Sequence, residues 1–360
     1  MHASVIASLP AFAAERERWD DLYQADLQAQ VFLSRAWLSA YLPDVRHPWR
    51  ILVLREGEAL VAALPLLLRP VPHRRLPLAR ELAFASDPLA DYQGLLCRPG
   101  REAEAVAAFA AAIEALPWDR AVFADVRDPR FAALVARLGR HAAVREDPPA
   151  TCLAFTLPPD YETFLAGLSK STRRATQRLH KLQADRPALR ITALAPGQAG
   201  DAGPHVDAVV GLNADRFGST SLRRERLRAL LRNACGSGCA HLRVVWDGSR
   251  PVAGGAAFVD PLRGTFGLYL IGHDRRYDRY SPGKGIIGLM VRDAIAGGYR
   301  EFDFLRGGEA FKGSYADRAV PNRHWRLRRR SVRNVLADAA APLYGAAKAA
   351  AVAALRRRSA

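Results

Sequence analysis

The sequence predicts an α/β protein built as two similar units in tandem. Three observations carry this. Two apolar hairpins of the same design occur far apart in the chain, and a strand, glycine turn, helix and second strand follow the later one. The length of 360 residues exceeds what a single core usually fills, while 49% hydrophobic residues supply material for two.

In chain order, Met1 to Ala14 is mildly apolar but lacks a basic start and is interrupted by Pro10, so it does not read as a signal peptide. Residues 29–42 form an amphipathic stretch before the first hairpin, whose arms are 51–54 and 60–68 around an acidic-glycine turn at Glu56-Gly57. Pro70, Pro72 and Pro77 then interrupt the strand pattern. Residues 85–92 read as an irregular loop, where Asp87, Asp91 and Tyr92 either line a cleft or form an exposed turn. The proline-rich stretch 148–159 lacks helical periodicity and marks the boundary between units. Residues 161–186 read as one helix, with Phe164, Leu168, Leu179 and Leu182 near one face and basic residues on the others. A second amphipathic stretch, 204–233, precedes the second hairpin, with arms 242–246 and 252–259 around Asp247-Gly248. The hairpins align without a gap, Val53 with Val244, Gly57 with Gly248 and Ala62 with Ala253. The expected organisation is an N-terminal unit at 1–155, a catalytic unit at 156–330 and a basic, alanine-rich helical tail at 331–360. That tail either packs on the body or rests on an anionic bilayer.

The chemistry is expected at 269–317. A strand empties into Tyr280, Ser281, Pro282, Gly283, Lys284 and Gly285; a helix follows, then a strand at 301–305 and a loop with Glu309 and Lys312. Glycines at a helix start leave backbone N–H groups free to meet an anion, and the helix dipole points the same way. The turn therefore reads as a cradle for a phosphorylated ligand. It is not a P-loop, because Asp278 stands where the first glycine belongs and Gly285 follows Lys284 in place of Ser or Thr. Gly283, Gly285 and Gly288 match G-x-G-x-x-G, with Asp303 18 residues beyond Gly285, yet no run of βαβ units surrounds them.

The formal net charge is +17 and the pI ≈ 10.4. Such a surface suits anionic partners, whether CoA, phosphorylated carriers, nucleic acid or an anionic membrane face. Arginine-rich codon usage in a GC-rich genome is the alternative explanation. No stretch reaches the roughly 18 apolar residues of a membrane span. A cytoplasmic location is expected, with contact to the inner face of the membrane left open. Cys97, Cys152, Cys235 and Cys239 are too scattered for a disulfide framework, and no histidines join Cys235 and Cys239 to complete a metal site.

Ser281-Pro282-Gly283, the run Asp303-Phe304-Leu305-Arg306-Gly307 and the pair Phe311-Lys312 resemble the CelD/BcsL-like acetyltransferases of the GNAT superfamily, a group related to the FemABX peptidyltransferases. Trp19-x-x-Leu22, Phe32-Leu33-Ser34-x-x-Trp37-Leu38 and the basic stretch 164–182 are similar to the same family. In GNAT pyrophosphate loops an Arg or Gln stands where this chain has Tyr280. The resemblance implies tandem GNAT-like domains, each a mixed, mostly antiparallel sheet flanked by helices. It implies acyl-CoA, such as acetyl-CoA, held by residues 280–285 without a metal. The backbone of strand 265–271 would meet the thioester oxygen, with Tyr269, Arg173 and Arg174 toward the acceptor. Asp303 is then the candidate general base, the alternative being a strand-end aspartate that caps the next loop. Lys312 would steer an anionic acceptor or stabilise the oxyanion, unless it is a plain surface lysine. Tyr315 or Tyr280 would protonate the leaving thiolate.

The expected activity is acyl transfer from acyl-CoA to an amine, or a hydroxyl, of an anionic or amino-sugar-type acceptor, in cell-envelope or exopolysaccharide biosynthesis. Two other readings stay open. One replaces acyl-CoA by aminoacyl-tRNA, as in the FemABX peptidyltransferases, with the basic surface meeting tRNA phosphates. The other is a non-catalytic component of a polysaccharide-synthesis assembly.

Overall fold

The computed structural model describes residues 2–71, 79–198, 200–331 and 334. Pro72, Pro77 and all but two residues of the expected tail 331–360 lie outside the described residues.

Thirteen strands among the described residues form one sheet. In chain order they are β1 (His2–Ile6), β2 (Trp49–Glu56), β3 (Ala59–Pro70), β4 (Arg80–Phe84), β5 (Leu96–Cys97), β6 (Arg120–Val126), β7 (Ala142–Thr156), β8 (Leu189–Leu194), β9 (Ala240–Asp247), β10 (Arg250–Asp260), β11 (Thr265–His273), β12 (Glu301–Arg306) and β13 (Arg318–Arg329). Their order across the sheet is β1-β2-β3-β4-β6-β13-β7-β12-β11-β10-β9-β8, with β5 set on β3. Each half thus repeats the other about the central β7–β13 pair. The last strands are exchanged: β7 pairs with β12 of the C-terminal half and β13 with β6 of the N-terminal half.

The repeat holds at the level of register. Val53 faces Ala63 and Arg55 faces Leu60 after a one-residue shift; Val244 faces Gly254 and Trp246 faces Pro251 after the same shift. β4 pairs with β6 in parallel, as β11 does with β12. Near the ends of β6 and β12, Asp125 and Leu305 both take a left-handed φ of 55°. The mixed, mostly antiparallel tandem architecture expected from the sequence is present.

Ten α-helices among the described residues cover the sheet: α1 (Leu9–Ala14), α2 (Arg16–Ala25), α3 (Arg35–Tyr41), α4 (Glu102–Ala115), α5 (Phe131–Leu138), α6 (Tyr161–Gly167), α7 (Lys170–Asp185), α8 (Gly203–Phe217), α9 (Ser221–Gly236) and α10 (Pro282–Ala296). One face carries α1–α3 and α8–α9 over a core that runs through both halves. The other carries α4 and α5 on the N-terminal half and α6, α7 and α10 on the C-terminal half. Burial on both faces explains the near-continuous apolar run of β2: Ile51 and Val53 enter the first core, Leu52 and Leu54 the opposite one.

Local structure departs from the sequence reading in three places. The single helix expected at 161–186 is two, because Ser169 accepts the Thr172 amide and caps a new helix. The stretch 204–233 likewise breaks at Gly218, φ 72°, after which Thr220 caps α9. Residues 148–159 are not a loop throughout, since β7 runs through Pro148 and Pro149. β7 pairs with β13 on both sides of them, Ala150 with Asn322 and Asp147 with His324, so the two prolines stand opposite the single residue Arg323 in a bulge of β7, where a proline is tolerated.

Candidate active site

Ser281 turns the chain into α10 with a left-handed backbone, φ 51° and ψ 48°, and Pro282 fixes the first helical φ. The amides of Lys284 and Gly285 both return to the Ser281 carbonyl at 3.0 Å. Gly283 therefore offers the first amide without an intrahelical acceptor. A Cβ on Gly283 would stand 3.0 Å from His273 Nδ1 and 3.2 Å from a guanidinium nitrogen of Arg216. Glycine keeps this space open, and a cavity of ≈ 260 Å³ occupies it, walled also by Ser281, Lys284 and Phe311. Arg178 donates to Ser281 Oγ at 3.2 Å. Arg216 can only donate, so His273 Nδ1 accepts at 3.1 Å and its Nε2–H faces Asp278 at 2.9 Å. Burial holds the His273 pKa below its ordinary value, against the hydrogen bond to Asp278 that works the other way. Guanidinium groups and a lysine around a helix N-terminus are suited to an anion, with Asp278 the one carboxylate on the cavity wall among the described residues. Gly285 and Gly288 do something else: Cβ atoms there would fall 2.8 Å from Leu179 Cβ and 2.4 Å from Thr176 Cγ2, so these glycines let α10 pack against α7.

Beside the cavity the sheet opens. β11 and β12 pair only over 265–267 and 301–303, while β11 continues to His273. Past the last pair lies a cleft of ≈ 270 Å³ between the halves, lined on the strands by Leu268, Tyr269, Leu270 and Phe304. It shares Ile271 and Phe311 with the cavity at α10, so the two lie end to end along β11. At Gly272 a Cβ would come within 2.4 Å of the Leu212 backbone, and this close approach lays α8 against β11. Asn213 then donates to the Ile271 carbonyl at 3.0 Å, and Phe217 reaches the cleft wall.

Asp91 brings a carboxylate into the cleft from the N-terminal half. It accepts the Arg306 amide at 3.3 Å and lies 3.4 Å from the Arg306 guanidinium, which also pairs with Asp125. Burial pushes the Asp91 pKa up to about 6, with Arg306 pulling it down. A buried carboxyl that titrates near neutrality is suited to moving a proton.

The structure brings only some of the sequence-predicted residues together. Ser281, Pro282, Gly283 and Lys284 wall the α10 cavity, and Tyr269 lines the cleft, its hydroxyl donating to the Leu89 carbonyl at 2.8 Å. Lys312 also lines the cleft, but its ammonium is spent on the Arg306 and Gly307 carbonyls at 2.9 and 3.1 Å and on Glu309 at 2.7 Å. Asp303 is 1% exposed and lines neither space. Tyr92 donates to its carboxylate, at 2.8 and 2.7 Å from the two oxygens, the Leu305 amide adds a bond at 2.7 Å, and burial raises its pKa. Tyr315 is buried with its hydroxyl 3.2 Å from Thr176 Oγ1, burial pushing its pKa up to about 12, and Tyr280 takes a 2.6 Å bond from Arg279. Neither tyrosine borders the two spaces. Arg173 is half-buried and Arg174 exposed on α7, both away from the cavity walls, while Arg178 one turn on reaches Ser281. Sequence reasoning passed over Arg216, His273, Asn213 and Arg223. The signal for two of them was Gly218, which ends α8 between Arg216, on the α10 cavity, and Arg223, on the cleft.

Residues 169–313 match the acetyltransferase (GNAT) domain family. A comparison with curated proteins gave no match. Among solved structures the chain is similar to FemX, with TM-score 0.62, 9% identity and coverage of 91% of this chain and 97% of that one. It is similar to a tandem GNAT protein from the clavulanic acid biosynthesis pathway, with TM-score 0.52, 12% identity and coverage of 90% and 98%. L-PGS from Bacillus licheniformis gives TM-score 0.52 at 11% identity, with coverage of 89% and 96%. At such identities these likenesses speak to fold, here the tandem GNAT fold. Residues 169–313 carry a GNAT-superfamily acetyltransferase domain, and GNAT-type acyl transfer is the chemistry that goes with it.

Proposed function

We propose that the protein is an acyl-CoA-dependent acyltransferase, with the donor lying along the gap between β11 and β12 and an amine, or hydroxyl, acceptor entering the cleft between the halves. The observation that carries this reading is the separation of β11 and β12 next to the α10 N-terminus. An acyl-CoA would supply the activated thioester there. The residues fit it: the Gly283 amide, Arg216, Arg178 and Lys284 suit a pyrophosphate, and Leu268, Leu270, Ile271 and Phe304 suit an uncharged arm.

In this reading the N-terminal unit, 1–155, shapes the acceptor side and the unit 156–330 holds the donor. Asp91 would take the proton of the acceptor as its nitrogen or oxygen attacks the thioester carbonyl; the C–S bond then breaks and CoA leaves as a thiolate that takes its proton from solvent. Arg306, held between Asp91 and Asp125, sets the position of that carboxylate. Lys312 acts through the loop: by binding two carbonyls and Glu309 it fixes the cleft wall. Asp303 is a positioning residue that joins the halves through Tyr92. Tyr280 and Tyr315 pack the donor half. The resemblance to CelD/BcsL-like proteins favours an anionic or amino-sugar-type acceptor of cell-envelope or exopolysaccharide synthesis.

The test is thiol release from acetyl-CoA in the presence of a panel of amines and amino sugars. Acceptor-dependent release that Asp91→Asn slows by about 10²–10⁴-fold supports the reading. Transfer from aminoacyl-tRNA with none from acetyl-CoA would replace the donor.

A further inference from the structure

A smaller cavity adjoins the acceptor cleft on its N-terminal side, between α9 and the loop that carries Asp91. Its volume is ≈ 70 Å³, far below the size of a site for a whole small molecule and suited to one charged group. Arg46, His47, Arg69 and Arg226 reach its wall, with Asp44 and Asp87 as the acidic residues. The acids are already engaged. Asp87 pairs with Arg69 at 2.7 Å, Arg69 also holds Glu81 at 2.6 Å, and Asp44 accepts from Asn233 at 3.3 Å. Among the described residues Arg46 and Arg226 have no hydrogen-bond or ion-pair partner, and the Arg226 Nε–H is buried without an acceptor. A buried charged donor with no acceptor is costly, and an arriving oxyanion removes that cost. Two guanidinium forks from separate elements, α9 and the segment before β2, suit the several oxygens of a phosphate.

The cavity is placed to read the same molecule as the cleft. Arg223 lines the cleft while Arg226 and Leu230 line the cavity, roughly 5 and 10 Å further along α9 at the rise of an α-helix. On the opposite wall one loop divides the two spaces, with Asp91 facing the cleft and Asp87 and Leu89 the cavity. We propose that the cavity is a phosphate subsite in which Arg46 and Arg226 hold a phosphate group of the acceptor while its nucleophile stands at Asp91. The placing of the nucleophile rests on the acyl-transfer reading; the anion site does not. His47 supplies a reporter. Burial, then Arg69 and Arg226, hold its pKa below the ordinary value, so a bound anion must move it upward.

The experiment is an NMR pH titration of the His47 imidazole with and without millimolar inorganic phosphate, in the wild type, Arg226→Gln and Arg46→Gln. Phosphate is expected to raise the wild-type His47 pKa and to leave it unmoved in both variants, each first shown to keep the wild-type melting temperature. No response in the wild type, or an equal response in Arg226→Gln, overturns the site. CoA binding is followed in parallel by calorimetry. Absence of CoA binding with an intact His47 response removes the acyl-CoA reading and leaves the subsite standing, whereas intact CoA binding with a silent His47 removes the subsite alone. Vesicles of phosphatidylglycerol in phosphatidylcholine identify the source of the phosphate. Co-sedimentation that Arg226→Gln removes assigns it to a lipid headgroup, and no co-sedimentation with the His47 response intact assigns it to a soluble phosphate ester.

Discussion

Asp91 works as a base only after losing its proton, and burial has moved that loss up to about pH 6. The kcat/KM of the wild type should therefore fall as pH drops through about 6 and level off above it, since the profile reports the free enzyme. Asp91→Asn should remove this limb and lower kcat/KM by about 10²–10⁴-fold. Asp125→Asn tests Arg306 separately. With its second carboxylate gone, Arg306 faces Asp91 alone and favours its charged form, so the acid limb should move to lower pH. A purely structural role for Asp125 would lower the rate without moving the limb. Tyr92→Phe should act differently again. It strips a donor from the buried Asp303 carboxylate and should cost about 1–3 kcal/mol in urea unfolding while CoA affinity stays unchanged. The sequence revealed Asp303 as a carboxylate at the end of a strand but not what fills it. The partner, Tyr92, comes from the other half of the chain, and no local pattern spans that distance. Asp91 was visible as a cleft candidate; its link to Arg306 was hidden for the same reason.

At the scale of elements, the helix start at Ser281 and Pro282 and the two hairpins were legible because each is encoded in a few consecutive residues. The three glycines of α10 were legible as a motif and misleading as one. Only Gly283 faces the cavity, and Gly285 and Gly288 serve the contact with α7. Gly285→Ala and Gly288→Ala should each destabilise the fold by about 1–3 kcal/mol through overpacking, with CoA affinity held; thermal unfolding and calorimetry separate the two effects. β4 was missed because prolines precede it, and β7 because Pro148 and Pro149 look like a linker. A bulge at these prolines, opposite Arg323 of β13 and visible only in the folded pairing, makes them compatible with a central strand.

For the whole molecule, the exchange of β7 and β13 matters most. Neither half completes its sheet without a strand from the other, and one core of buried residues runs under both. The halves should therefore unfold together. Urea unfolding followed through Trp19 and Trp37 in one half and Trp246 in the other should give coincident transitions; separated midpoints would show two independent units. The repeat was legible in the hairpins, but the exchange was not, since it depends on which of two similar strands each sheet accepts.

The most direct measurement is a calorimetric titration of acetyl-CoA into the wild type, Gly283→Val, Arg216→Gln and Asp91→Asn. If an acyl-CoA binds at the start of α10, the wild type shows one saturable site per chain. Gly283→Val, whose side chain would press on His273 and Arg216, and Arg216→Gln should then each weaken binding by about tenfold or more, that is by about 1.4 kcal/mol, while Asp91→Asn leaves it unchanged. Absence of binding to the folded wild type, or wild-type affinity in folded Gly283→Val, would contradict a donor site at the α10 N-terminus.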